Sequence, residues 1–176
     1  TGSQEEIGEG DASGLKINVP LPPQTTDEIY LEAFEKIVPS AIKRYSPELI
    51  LLQSGADSHR GDLLSHLALT AKTYYEAASR IHDLAHEFCG GKIVVFGGGG
   101  YRLSNVARCW TSVLSAFIKI KIPNELPSDW REYYRSIAGE EAPTLLMEPP
   151  SRSAKEARQK MAEVISELER RTLAGT

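Results

Sequence analysis

The sequence predicts a doubly wound α/β fold on a mostly parallel sheet, of which only the later part is present. Three observations carry this. Two short runs, Leu49-Ile50-Leu51-Leu52 and Ile93-Val94-Val95-Phe96, are continuously apolar, the pattern of strands covered on both faces. They alternate with helical patterns in the order helix, strand, helix, strand, helix, which right-handed crossovers turn into a parallel sheet. Finally, two strong strands and one weak one fall short of the roughly five or six that a sheet usually holds. Two such strands alone would leave apolar edges unpaired, so further strands are expected from outside this sequence.

Residues 1–16 are rich in Gly and Glu without an apolar period and read as loop. Ile17-Asn18-Val19 is a candidate short strand, stopped by Pro20, Pro22 and Pro23, which lack a donor for a central ladder. Thr25, Thr26 or Asp27 can cap a helix over 27–45, with Asp27 and Glu28 in its positive first turn. Ile29, Ala33, Phe34, Ile37, Val38, Ala41 and Ile42 recur there at helical spacing, and Pro39 implies a kink or a break. The first strand covers 49–53. A second helix runs from Thr70 to about Phe88 and stops at Gly90-Gly91. The second strand covers 93–96. Ser104 or Asn105 can cap a third helix reaching about Ile120, whose Trp110 and Phe117, seven apart, are expected in the core. After Pro123 the chain is irregular, with a short helix expected near 130–135. A last amphipathic helix spans 153–172, with Ala154, Ala157, Met161, Ile165 and Leu168 on one stripe and Lys155, Glu156, Arg158, Glu163 and Glu169 on a solvated face. Residues 1–150 are taken as one domain part, and 151–176 as a terminal helix packed on it.

Composition narrows the function classes. At 176 residues, 41% hydrophobic and 25% charged, the chain has the balance of a globular protein with a real core. A net charge of −4 and dispersed Lys and Arg give no footprint for nucleic acid. No apolar run approaches the roughly 18 residues of a membrane span, and no charged-apolar-small signal opens the sequence. Cys89 and Cys109 form no Cys-x-x-Cys pair, which points to a reducing, cytoplasmic setting. A chain opening Thr1-Gly2-Ser3, without an initiator Met, is expected to be a processed product or a piece of something longer.

The chemistry is expected on two turns, Ser54-Gly55-Ala56-Asp57 and Gly97-Gly98-Gly99-Gly100-Tyr101, each closing a strand at its carboxyl end, where open α/β sheets bind ligands. Asp57 either supplies a hard oxygen to Zn²⁺ or a similar divalent ion, or simply caps its turn. Four consecutive glycines suit backbone that must approach something closely or adopt positive φ, or else a loose loop. Tyr101 stands at the rim, either as a donor to a developing oxyanion or as a packing ring. Phosphate-cradling motifs do not fit, since positions 102 and 103 are Arg and Leu and no G-x-x-x-x-G-K-[ST] occurs. His82 and His86, four apart on the second helix, have metal-gripping spacing but no third ligand, and read as a solvated face.

The strings 54–62 (Ser-Gly-Ala-Asp-Ser-His-Arg-Gly-Asp) and 97–110 (Gly-Gly-Gly-Gly-Tyr-Arg-Leu-Ser-Asn-Val-Ala-Arg-Cys-Trp) resemble the zinc-dependent histone deacetylase family. Its acetoin-utilization and acetylpolyamine deacetylase-like prokaryotic members are the nearest in pattern. Ile17 to Leu21 and Asp27-Glu28 also sit as they do in that family, so the resemblance covers about residues 1–150. It implies the arginase/deacetylase α/β sheet and a hydrolase that removes acetyl groups from acetyl-lysine or an acetylpolyamine. It implies Asp57 as one zinc ligand, Tyr101 as the hydrogen-bond donor to the substrate carbonyl, and Gly99 and Gly100 with Tyr101 as the acetyl-binding floor. Asp62 is expected to make turn hydrogen bonds, and His59 not to be a ligand. Leu63 and Ser104 replace the basic residues with which corepressor-type members hold an inositol phosphate, so that ligand is not expected. The family's other two zinc ligands come from an Asp-x-His element and its general base from a His-His pair, both upstream of the Gly/Glu-rich lead-in with which this sequence begins. The ligand set is therefore incomplete, and the chain alone is expected to hydrolyse nothing. The missing half is expected in cis or as a separate chain; the alternative is a non-catalytic interaction module, which zinc content distinguishes.

Overall fold

The computed structural model describes residues 2–152 and 155–173. After a 3₁₀ turn at Gly10–Ala12, the elements are α1 (Asp27–Tyr45), β1 (Ile50–Gln53), α2 (Ala71–Cys89), β2 (Ile93–Phe96), α3 (Leu103–Ile118), α4 (Ser128–Ala138) and α5 (Lys155–Leu173). β1 and β2 pair in parallel, Ile50 opposite Ile93 through Gln53 opposite Phe96. A parallel pair needs a long crossover, and α2 supplies it.

Two cores hold these elements. On one, Tyr74 and Ala78 of α2 and Cys109, Val113 and Ala116 of α3 close over Ala56 and Leu69. On the other, Ile29 and Ala33 of α1 meet Ala157, Met161 and Ile165 of α5, the stripe read from the sequence; Ala154 lies outside the described residues. Both cysteines are free and buried. Among the described residues no helix is long and apolar enough to cross a membrane.

Several local expectations are corrected. Residues 17–19 form no strand; three nearby prolines leave them without a continuous ladder. α1 runs through Pro39 unbroken, losing only the bond that an N–H there would give to Glu35. It starts after Thr26, whose side chain makes no cap bond, and Asp27 points inward instead. α3 starts one residue before Ser104, which with Asn105 is buried in its first turn, and it ends at Ile118 because Lys119 turns left-handed at φ 52°. Trp110 is not core: it is 40% exposed, lying against Gly97 and donating its Nε1–H to the Ser54 carbonyl at 2.9 Å. Phe117 is partly buried against the α2–α3 core.

The strands are also less covered than two-sided strands should be. Leu51, Val94, Val95 and Phe96 are exposed, as are Leu103, Trp110, Leu114 and Ile118 along one stripe of α3. So many exposed apolar side chains on two strands and one helix are uncommon on a soluble surface.

Asp27 ties α1 to α2. Its buried carboxylate accepts from the Thr70 amide at 2.7 Å, the Thr70 hydroxyl at 2.9 Å and the Thr73 hydroxyl. Asp27→Ala strands these donors in the interior and is expected to lower stability by about 2 kcal/mol, read as a fall in the urea midpoint; an unchanged midpoint would refute the assignment.

Candidate functional site

The register of β1 and β2 places the two turns side by side at the carboxyl edge of the sheet. The ladder continues into them: the Ser54 amide donates to the Phe96 carbonyl at 2.9 Å, and the Ala56 amide to the Gly99 carbonyl at 2.5 Å. The glycine run is therefore a packed seam and not a loose loop. A Cβ on Gly99 would stand 2.5 Å from Oδ2 of Asp57. Gly100 takes φ +140°, and a Cβ there would meet Val106 at 2.8 Å. Only glycine satisfies both positions, the first for lack of space and the second for conformation as well.

Asp57 is half-buried and faces a cavity of about 370 Å³ that it lines with Gly99, Ser58, Leu69 and Tyr74. Among the described residues its carboxylate accepts no hydrogen bond of good geometry. The Tyr74 hydroxyl beside it is buried without a well-formed partner; burial, reinforced by charge at Cys109 and Asp57, pushes its pKa up.

Tyr101 does not line that cavity. The residue is 53% exposed at the rim, and its main chain is fixed by Asp62. One Asp62 oxygen accepts the Tyr101 amide at 2.8 Å, and the other accepts those of Leu64 at 2.9 Å and Ser65 at 3.2 Å. Burial raises the Asp62 pKa, but these amides outweigh it and hold the carboxyl below its ordinary value. A single carboxylate thus joins the Asp57 turn to the Tyr101 turn. Leu63 beside it is exposed, and Ser104 is buried.

A second group sits beneath. His59 is buried, and its Nδ1 accepts the Gly61 amide at 3.1 Å, so the ring hydrogen lies on Nε2 and is donated to Glu148. Glu148 also binds Nη1 of buried Arg108 at 3.2 Å and the Ala71 amide at 3.3 Å. Burial opposes its ionisation, yet His59 and Arg108 more than compensate and lower its pKa to about 2. Sequence reasoning missed Glu148. Its only local signal is a lone charge after Leu145-Leu146-Met147, and its partner His59 is 89 positions away.

The remaining candidates do not converge on a site. His82 and His86 have ring centroids 4.7 Å apart; His86 is exposed, as expected of a solvated face, and His82 is half-buried beside Phe117. Among the described residues no group of three His, Cys, Asp or Glu side chains could hold a metal ion. Asp57 fits the role of one ligand within a larger set: a hard, unbonded carboxylate fronted by a space that any Cβ at position 99 would close.

The histone deacetylase domain model matches residues 1–117. The acetoin utilization protein AcuC of Bacillus subtilis (strain 168) is 37% identical over 131 residues, 74% of this chain and 34% of that protein. Histone deacetylase 10, chloroplastic, of Oryza sativa subsp. japonica is 36% identical over 118 residues, 67% of this chain and 27% of that protein. Among solved structures, an HDAC homolog complexed with SAHA superposes with a TM-score of 0.81 at 28% identity, over 96% of this chain and 46% of that one. An HDAC homolog from Aquifex aeolicus gives a TM-score of 0.77 at 29% identity, over 94% and 46%. The chain spans about a third of the length of the curated relatives it matches.

Proposed function

The chain belongs to the histone deacetylase family, and on that premise we propose that it carries half the reaction centre of a zinc-dependent amidohydrolase acting on acetylated amines, acetyl-lysine or an acetylpolyamine. The observation that supports this most is the seam in which Asp57 faces Gly99 with no side chain between them, while Asp62 fixes Tyr101 at the rim.

Asp57 is proposed as one zinc ligand, the remaining donors coming from outside the described residues as an Asp-x-His element, with a His-His pair as general base. A bound zinc ion supplies Lewis acidity to the amide carbonyl and acidity to a water. The residues of this chain act around that chemistry. Gly99 and Gly100 leave room on the floor for the acetyl group. The Tyr101 hydroxyl donates a hydrogen bond to the carbonyl oxygen as it gains negative charge, and does so most strongly in the tetrahedral state.

The exposed apolar side chains of β1, β2 and α3 support a further part of the reading. Residues 1–150, with the terminal helix packed on them, are one part of a deacetylase domain whose remainder covers those side chains, in cis or as a second chain. Without that remainder the chain is inactive. Its setting is cytoplasmic, and it has no nucleic-acid partner.

The test is acetate release by the whole protein from an acetyl-lysine peptide and from an acetylated polyamine. Release from at least one is expected, with loss on chelation and recovery on adding zinc. No release from either with zinc present overturns the proposal.

A further inference from the structure

We propose that Glu148 is a positioning residue for the turn that bears Asp57, acting through His59 and Arg108. The proposal rests on the reading of Asp57 as a zinc ligand. Glu148 lies beyond the residues matched by the deacetylase domain model, on the segment that follows α4.

His59 follows Asp57 by two positions, and its main chain closes the turn. Its amide donates to the Ala56 carbonyl at 3.2 Å, and its carbonyl accepts the Asp62 amide at 2.8 Å. Its ring is held from both sides, by the Gly61 amide inside the turn and by Glu148 outside it. A ring held at both nitrogens restrains the backbone between Asp57 and Asp62.

The second oxygen of Glu148 extends this hold to two helices. It forms an ion pair with Arg108 on α3 and accepts from the first amide of α2, where the helix dipole favours an anion. Arg108 is itself fixed, donating to Oδ1 of Asn105 at 3.0 Å and to the Ser104 carbonyl at 3.3 Å. Because α3 begins two residues after Tyr101, the same carboxylate relates the Asp57 turn to the helix that follows the Tyr101 turn. Asp62 joins the two turns at the rim, and Glu148 joins their supports from below. Outer partners of this kind set ligand direction, and removing them commonly weakens metal binding 10- to 100-fold.

The experiment uses the whole protein, with zinc affinity measured by chelator competition beside kcat and KM. Glu148→Ala should weaken zinc binding by about tenfold or more and lower kcat with KM little changed. Glu148→Gln, which still accepts from His59, should recover most of the affinity. If Glu148→Ala does not fold because it strands Arg108, the paired variant Glu148→Leu with Arg108→Met removes both charges, and it should show the same zinc defect. A lower melting temperature with wild-type zinc affinity and kcat overturns the proposal in favour of a purely structural cluster. So does failure of both variants to fold. Asp57→Asn separates this from the parent reading: unchanged zinc affinity there overturns Asp57 as a ligand, whereas loss there but not at Glu148 overturns the positioning role alone.

Discussion

Replacing Tyr101 by Phe in the whole protein is expected to lower kcat for deacetylation by about 10²–10³-fold while zinc content and folding stay as they are. The substitution removes one oxygen from a ring that is already half in solvent, so little packing is lost. The position of the residue is set by its amide on Asp62, which the new side chain does not disturb. What disappears is a donor aimed at charge that develops only in the transition state, so the loss falls on kcat more than on KM. Steady-state kinetics with elemental analysis of zinc decides it. Turnover close to wild type removes Tyr101 from the mechanism.

Gly99→Ala is expected to be nearly as damaging for a different reason. The added methyl would lie 2.5 Å from one Asp57 oxygen and 2.7 Å from the carboxyl carbon, well inside contact distance. Neither neighbour is a free surface tip. The Gly99 carbonyl is bonded to the Ala56 amide, and the Asp57 turn is fixed through His59 and Asp62. The strain is therefore relieved by moving the carboxylate or parting the turns. Overpacking of this sort destabilises by about 1–3 kcal/mol, and a displacement of about 1 Å at a reacting group lowers rate on the order of 10²-fold. Thermal melts and kcat should both fall. Wild-type values for both would mean that the seam is looser than its contacts indicate.

Legibility followed the range of the forces involved. The strands were visible as continuous apolar runs and the long helices through apolar spacing and start or stop residues, all of which are local, and β2 falls where the run at 93–96 placed it. The ends were less visible. Lys119 takes a left-handed conformation that no glycine announces, and Ser104 looks like a cap but is buried in the first turn of α3. Trp110 was misplaced because a large apolar ring on a helix suggests a core, while here its indole N–H closes onto Ser54 and its face covers Gly97.

By itself the sequence determined the fold class, the order of elements and the two turns at which chemistry is expected, including the family resemblance carried by Asp57 and Tyr101. These are local: a string of residues at fixed spacing states them. Tertiary structure decided what the four glycines do, because their reason is the closeness of another segment to Gly99 and the positive φ of Gly100. It also decided that Asp62 couples the turns across 39 positions and that Glu148 reaches His59 across 89. Such contacts leave no period in the chain. They exist only where parallel pairing of β1 and β2 brings two carboxyl ends together and the segment after α4 folds back beneath them.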